Sequence, residues 1–299
     1  VDRSFGIDTD SVVKSGAKAL IAVDMFGIPA NWEGIYQLCR ANGLIMIEDA
    51  AQAVGSKWCG RRCGSLADIG CTSFYPSKPL AGIGDGGMVF LNDPIMAQDV
   101  RTLANHGRSP AMNPFSAVVA GMNSRLDTIQ AAVLMRRLED LETELFYRRK
   151  QADFYRQFFG QMINFDGDEC SWAWFPVVFN SKAERERALE EYRPYGAKVI
   201  YPVPLNRMPA FRRFEAKCPM AESVCERILA MPVKHHWETN DCINYIKEKH
   251  EMKYDLPENC GINEADAKRG HMPCNETHEM DDTPPNSLWR DMDDGGFLG

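Results

Sequence analysis

Apolar residues come in short continuous runs over the first ninety positions and in spaced, helical patterns after that. The segment 19–26 begins Ala-Leu-Ile-Ala-Val and reads as a buried strand. Asn31 to Arg40 then has helical spacing, closed by the stop signal Asn42-Gly43. Leu44-Ile-Met-Ile-Glu-Asp49 follows as a second apolar strand. Strand, helix and strand make a βαβ unit, which predicts an α/β fold with a mostly parallel central sheet covered by helices on both faces. Further short strands fit 69–75 and 87–91. Asp49 stands at the carboxyl end of its strand, where open parallel sheets collect ligands.

After Asp93 the pattern changes. A helix fits 94–105, and after a loop the segment 126–159 carries one long helical pattern rich in Leu, Gln, Arg and Glu, which predicts a helix bridging two domains. Strands at 172–179 and 197–201 and helices near 220–229 and 240–249 predict a smaller α+β domain. The expected organisation is a large domain over 1–145, a small one over 146–250, and a tail over 251–299. The tail's Pro-Glu-Asn, Asp-Asp-Thr-Pro-Pro and Asp-Asp-Gly-Gly stretches lack the apolar content that offsets chain ordering, so it is expected to be disordered and dispensable.

The balance of 44% hydrophobic and 25% charged residues in a 299-residue chain is that of an ordinary soluble protein. The first thirty residues mix Asp2, Arg3, Asp8, Asp10 and Lys14 among apolar positions, unlike a signal peptide, and no apolar run suits a membrane span. A cytoplasmic protein is expected. The net charge of −8 resides in the tail, which holds twelve Asp/Glu against four Lys/Arg. The body is near neutral and has no basic stripe, which argues against nucleic acid as a partner. The ten cysteines are read as reduced thiols. Cys59 and Cys63, bracketing Gly-Arg-Arg, read as a polar turn rather than half a zinc site, and the irregular spacing of Cys260, His271, Cys274 and His278 does not suggest a metal centre. No metal is expected.

The chemistry concentrates in Glu48-Asp49-Ala50-Ala51-Gln52 and in Thr72-Ser73-Phe74-Tyr75-Pro76-Ser77-Lys78-Pro79-Leu80-Ala81-Gly82-Ile83-Gly84-Asp85-Gly86-Gly87. These supply an acid at a strand end, a hydroxyl at the next strand, and a lysine in a loop rich in Pro and Gly. A lysine near a carboxylate, once partly deprotonated, is a nucleophile toward carbonyls; a solvated loop lysine is the plainer alternative. The run from Gly82 also satisfies the G-x-G-x-x-G dinucleotide pattern, but it leads into a strand instead of opening a helix, which argues against a nicotinamide site.

In order and spacing, these two segments together with Gly121-Met-Asn123-Ser124-Arg125-Leu126-Asp127 and Tyr201-Pro-Val-Pro-Leu-Asn206 closely resemble the DegT/StrS sugar aminotransferases, a branch of the fold-type I pyridoxal-phosphate (PLP) enzymes. The details look closest to enzymes that aminate UDP-linked 3-keto-sugars for surface polysaccharides. The resemblance implies that PLP is the cofactor, held by Lys78 as a Schiff base. It also implies that Asp49 pairs with the pyridine nitrogen, that Gln52 lies against the ring, and that the Ser73 hydroxyl meets the phosphate. Asn123 resembles the asparagine that reaches the cofactor of a neighbouring subunit, which implies a homodimer with shared sites. Arg125 and Tyr201 fall to the substrate side. The implied reaction moves an amino group from an amino acid, glutamate being expected, to a nucleotide-linked keto-sugar. Lys78 argues against the dehydratases of the family, which carry histidine there, and the full set of site residues argues against an inactive regulatory derivative. Two departures stand out. Val1 falls where the family is already midway through its large domain, ahead of which the family carries a Gly-Thr phosphate loop, and Ile200 precedes Tyr201 where close relatives often place a histidine near the nucleotide.

Overall fold

The computed structural model describes residues 1–251 except 3, 13–15, 110–112, 114, 161–168, 215 and 235–239. The expectations for the tail and for its Cys and His residues lie outside the described residues. The first βαβ unit forms in the expected order as β1 (Ala19–Val23), α1 (Trp32–Asn42) and β2 (Ile45–Asp49), with β1 stopping at Val23 instead of 26 because Met25–Gly27 turns as a short 3-10 helix. The Asn31 side chain caps α1 by accepting from the Gly34 N–H, and Gly43, at φ 62°, closes it in the left-handed conformation that glycine adopts without steric penalty. A hairpin of β3 (Lys57–Trp58) and β4 (Arg61–Arg62) turns through Cys59-Gly60, both at positive φ, as a two-residue hairpin of this type requires. β5 (Ile69–Ser73) and β6 (Gly87–Leu91) complete a sheet of order β1-β2-β5-β6, parallel except for β6.

One face of this sheet is covered by α1. Leu20 and Ala22 of β1 pack there with Trp32, Ile35, Tyr36 and Cys39, and Leu66 closes the layer. Because side chains alternate along a strand, Glu48 points into this layer and Asp49 to the opposite face. Ser73 shares the Asp49 face, since Cys71, two residues before it, is the register partner of Asp49.

α2 (Pro94–Ala104) follows β6 and is capped by the Asp93 carboxylate. The long helix expected over 126–159 is two helices, α3 (Thr128–Glu139) and α4 (Leu141–Phe159). They part at Asp140, whose N–H turns to the Arg137 and Leu138 carbonyls while its side chain takes the Arg136 guanidinium. The two helices serve different cores. Leu134 of α3 and Leu141 and Leu145 of α4 pack on Phe74 and Leu80, whereas Ala152, Phe154 and Tyr155 of α4 enter the larger core with Trp172, Phe175, Leu229 and Ile243.

That larger core surrounds a second sheet in which β7 (Phe175–Val178) pairs antiparallel with β8 (Ile228–Met231). Three details depart from the sequence pattern. α5 (Lys182–Tyr192) forms where no helix is predicted, started by Ser181, whose hydroxyl accepts from the Glu184 N–H. The predicted helix near 220–229 stops at Arg227 as α6 (Pro219–Arg227), because Ile228 to Met231 are all buried and are held by β7. The strand expected over 197–201 is reduced to a single bridge between Lys198 and Ala230. α7 (Asp241–Lys249) closes the described chain. Cys59 is disulfide-bonded, which corrects the all-thiol expectation: such a bond depends on proximity in space that spacing along the chain does not reveal. The other described cysteines are free. Among the described residues no helix is long and apolar enough to cross a membrane.

Candidate active site

The site lies on the Asp49 face at the carboxyl ends of β2 and β5. Gln52, Ser73, Tyr75, Ser77 and Lys78 line one wall of a cleft of about 560 Å³, and Trp174, Lys198 and Tyr201 line the other. The sheet therefore contributes one wall and the segments flanking β7 and preceding β8 contribute the other. A second cavity adjoins it, sharing Ser77, Lys78, Trp174 and Lys198.

Lys78 sits in the loop after β5, in a turn closed by its N–H on the Tyr75 carbonyl at 2.9 Å. The loop is clasped from outside. The Gln130 amide oxygen accepts from the Ile83 N–H at 2.8 Å, and Arg137 donates to the Ala81 carbonyl at 2.6 Å. A Cβ on Gly82 or Gly84 would come within 2.7 or 2.6 Å of the Gln130 amide, so these glycines permit a close approach of loop to helix. That accounts for the pattern that superficially matched a dinucleotide fingerprint. Burial lowers the Lys78 amine from its ordinary pKa, and the Asp49 carboxylate, acting across the site, partly opposes the shift. The result is an amine whose neutral fraction is enlarged relative to a solvated lysine.

Asp49 itself is held by its neighbours. Its carboxylate accepts from the Ala51 N–H at 3.0 Å, and its carbonyl accepts from the Asp24 N–H at 3.1 Å. Gln52 is fixed at both ends of its amide: Oε1 accepts from the Phe26 N–H at 2.9 Å, and Nε2 donates to the Tyr201 hydroxyl at 2.5 Å. Burial pushes the Tyr201 phenol up, with the Gln52 hydrogen bond opposing and the Asp49 charge adding to the rise, so it remains a neutral hydroxyl. The Ser73 hydroxyl accepts from the Tyr75 N–H at 3.2 Å and keeps its own proton to donate.

Gln52, Ser73, Lys78 and Tyr201 are thus brought together, with Asp49 beside them. Asn123 and Arg125 are not part of this wall. Both are exposed, and the Arg125 guanidinium donates to the Asn123 side chain at 3.2 Å. In the stretch of chain before them Phe115, Val118, Val119 and Met122 expose 43–87% of their surface. Trp174 and Lys198 were not singled out from the sequence; the only local signal was their place in predicted strands.

A mostly parallel sheet that sets a half-buried loop lysine near a strand-end carboxylate defines an α/β protein with an amine and an acid at the carboxyl ends of its strands. The chain belongs to the DegT/DnrJ/EryC1/StrS aminotransferase family, whose model matches residues 6–249. It is similar to the UDP-2-acetamido-2-deoxy-3-oxo-D-glucuronate aminotransferase of Pseudomonas aeruginosa, at 33% identity over 79% of this chain and 67% of that protein. It is also similar to the UDP-N-acetyl-3-dehydro-alpha-D-glucosamine 3-aminotransferase of Acidithiobacillus ferrooxidans, at 33% identity over 75% of this chain and 61% of that protein. Among solved structures, a DegT DnrJ EryC1 StrS aminotransferase from Brucella abortus matches with a TM-score of 0.73 and 31% identity, covering 84% of this chain and 72% of that one. The chain therefore spans about two thirds of the length of these relatives.

The residues present fit pyridoxal phosphate. A flat pyridine ring needs an amine at its carbonyl carbon, a carboxylate toward its nitrogen and hydroxyl donors at its phosphate; Lys78 and Ser73 line the cleft and Asp49 stands close enough for its charge to act on Lys78.

Proposed function

We propose that this chain carries the catalytic lysine of a PLP-dependent aminotransferase that moves an amino group from an amino acid, glutamate in our reading, to a nucleotide-linked keto-sugar. The observation that carries the proposal is the placement of Lys78: half-buried, depressed in pKa, facing Asp49, and lining the same cleft as Gln52, Ser73 and Tyr201. We place the division between the cofactor-bearing and smaller domains near residue 145, and the reaction in the cytoplasm, as part of amino-sugar or polysaccharide synthesis.

Bound pyridoxal phosphate supplies an electron-accepting ring that takes up the electron pair of a broken C–H bond. The work of the chain is to bind, orient and move protons. Lys78 would hold the cofactor, and its amine, once released, can take a proton at Nζ and return it, a role that its lowered pKa favours. Asp49 would face the ring nitrogen and supply the carboxylate that favours a proton there. Ser73 directs its hydroxyl toward the phosphate. Gln52, locked by Phe26 and Tyr201, would lie against the ring. Tyr201, a neutral hydroxyl at the cleft wall, faces the substrate side. Asn123 reaches the cofactor of a second copy, and Arg125 a charged part of the donor or substrate; their exposure beside a patch of uncovered apolar residues supports a homodimer with shared sites.

The test is spectroscopic. Titrating the chain with pyridoxal phosphate is expected to give a visible absorption band that glutamate bleaches, and Lys78→Ala is expected to lose the band. A band that persists unchanged in Lys78→Ala removes this lysine from the mechanism.

A further inference from the structure

On the sheet face opposite the cleft, Asp24 and Glu48 are both 0% exposed, and their carboxylate oxygens lie within 4.8 Å of each other and of the Cys63 sulfur. The donors around them are unequally shared. Glu48 uses both oxygens, Oε1 accepting from the Gly64 N–H at 2.5 Å and Oε2 from the Leu66 N–H at 2.8 Å. Asp24 uses one: Oδ1 accepts from the Ala30 N–H at 2.9 Å and from the Trp32 indole N–H at 3.1 Å, while Oδ2 is buried without an N–H partner and has the Cys63 thiol nearby. A buried carboxylate oxygen without an N–H partner is costly, and a second carboxylate beside it makes a full charge there more so.

The surrounding groups relieve that charge only in part: the Cys63 thiol favours the ionised form of Asp24 and the Arg61 charge that of Glu48, but burial outweighs both. Arg61, the cation that faces Glu48, directs its guanidinium to the Tyr36 hydroxyl at 3.3 Å and the Ser65 carbonyl at 2.6 Å. Tyr36, Cys63 and Cys170, the other titratable groups turned toward the pair, are pushed up by burial and stay neutral.

We propose that Asp24 is protonated at Oδ2 and donates that proton to Glu48, which stays anionic, so that a neutral acid and a carboxylate together pin the ends of β1 and β2. The pair is a positioning device. Through its backbone N–H, Asp24 holds the carbonyl of Asp49, and Glu48 is the residue before Asp49 on β2. Burial raises both acids, and the Glu48 charge raises Asp24 further, in keeping with the proton residing on Asp24. The assignment does not depend on the transamination reading, because it is tested without turnover.

The experiment is urea unfolding of the full chain between about pH 5 and pH 8 for wild type, Asp24→Asn and Glu48→Gln. Unfolded Asp24 is ionised above its ordinary pKa of about 4, whereas the folded form keeps its proton. The folded state therefore binds one more proton, and this site lowers the folding constant about tenfold, or ~1.4 kcal/mol, per pH unit up to the folded pKa. Asparagine places an N–H where Oδ2–H stood. Asp24→Asn should fold, and the ratio of its folding constant to that of wild type should rise about tenfold per pH unit in this window. Glu48→Gln should be destabilised throughout, because either orientation of its amide sets an N–H against that of Gly64 or Leu66. A protonated-acid carbonyl band in the infrared spectrum of the wild type near pH 8, shifted in D₂O, is expected whether or not the variants fold. Equal pH slopes for wild type and Asp24→Asn, tolerance of Glu48→Gln with loss of Asp24→Asn, absence of the infrared band, or a stoichiometric metal that is lost in Asp24→Asn would each overturn the assignment.

Discussion

Replacing Gln52 with alanine separates two roles of one amide. Its Oε1 is the acceptor for the N–H of Phe26, a residue only 2% exposed and held at φ 61°, and its Nε2 donates to Tyr201. Orphaning a buried N–H costs about 1–3 kcal/mol, and the hydrogen bond to Tyr201 contributes about 1 kcal/mol. Gln52→Ala should therefore lower unfolding stability by roughly 2–4 kcal/mol, a substantial part of the ~5–15 kcal/mol typical of a folded protein. Tyr201→Phe removes only the second interaction and leaves the Phe26 N–H satisfied, so it should cost about 1 kcal/mol. The assay is urea unfolding without cofactor, followed by pyridoxal-phosphate titration, in which Gln52→Ala should also bind more weakly. If the two variants are equally destabilised, or Gln52→Ala stays within about 0.5 kcal/mol of wild type, the amide is not the structural bridge described here.

Asp49→Asn should still bind pyridoxal phosphate yet turn over about a hundredfold more slowly or worse, since it loses a preorganised charge aimed at the ring nitrogen; near-normal turnover measured in single-turnover assays would remove that role. A mixture of Lys78→Ala and Asn123→Ala chains should recover activity after subunit exchange, to about a quarter of sites if dimers reassort at random, whereas no recovery despite demonstrated exchange would confine Asn123 to its own chain. Ser181→Ala should cost about 1 kcal/mol of stability by uncapping α5, measured by the same urea unfolding; an unchanged midpoint would mean the cap contributes nothing.

The βαβ unit and the strand-end acid were legible because the signals there are local: continuous apolar runs for β1 and β2, Asn31 and Gly43 as caps, and Asp49 at a run's end. Signals that depend on distant partners were not. No Gly or Pro marks the break at Asp140; it follows from α3 and α4 having to reach different cores. Ile228 to Met231 continue a helical spacing, and only pairing with β7 makes them a strand. α5 is too polar to show an apolar face, although Ser181 and Glu184 spell a capping pattern. Lys78, Asp49, Ser73 and Gln52 could be singled out because their motifs are contiguous, whereas Trp174 and Lys198 join the cleft from the other wall and carry no motif. The alternation that sends Asp49 to the cleft sends Glu48 to the hidden face, so the sequence shows both acids side by side and gives no hint that one lies beside Asp24.

The most direct measurement is covalent. Reducing the pyridoxal-phosphate-loaded chain with borohydride and mapping its peptides should place the cofactor's mass on the peptide containing Lys78 and on no other lysine. A label found on Lys198, Lys234 or any lysine other than Lys78, or no label at all under conditions where pyridoxal phosphate is shown to bind, would contradict the assignment of this cleft as the cofactor site.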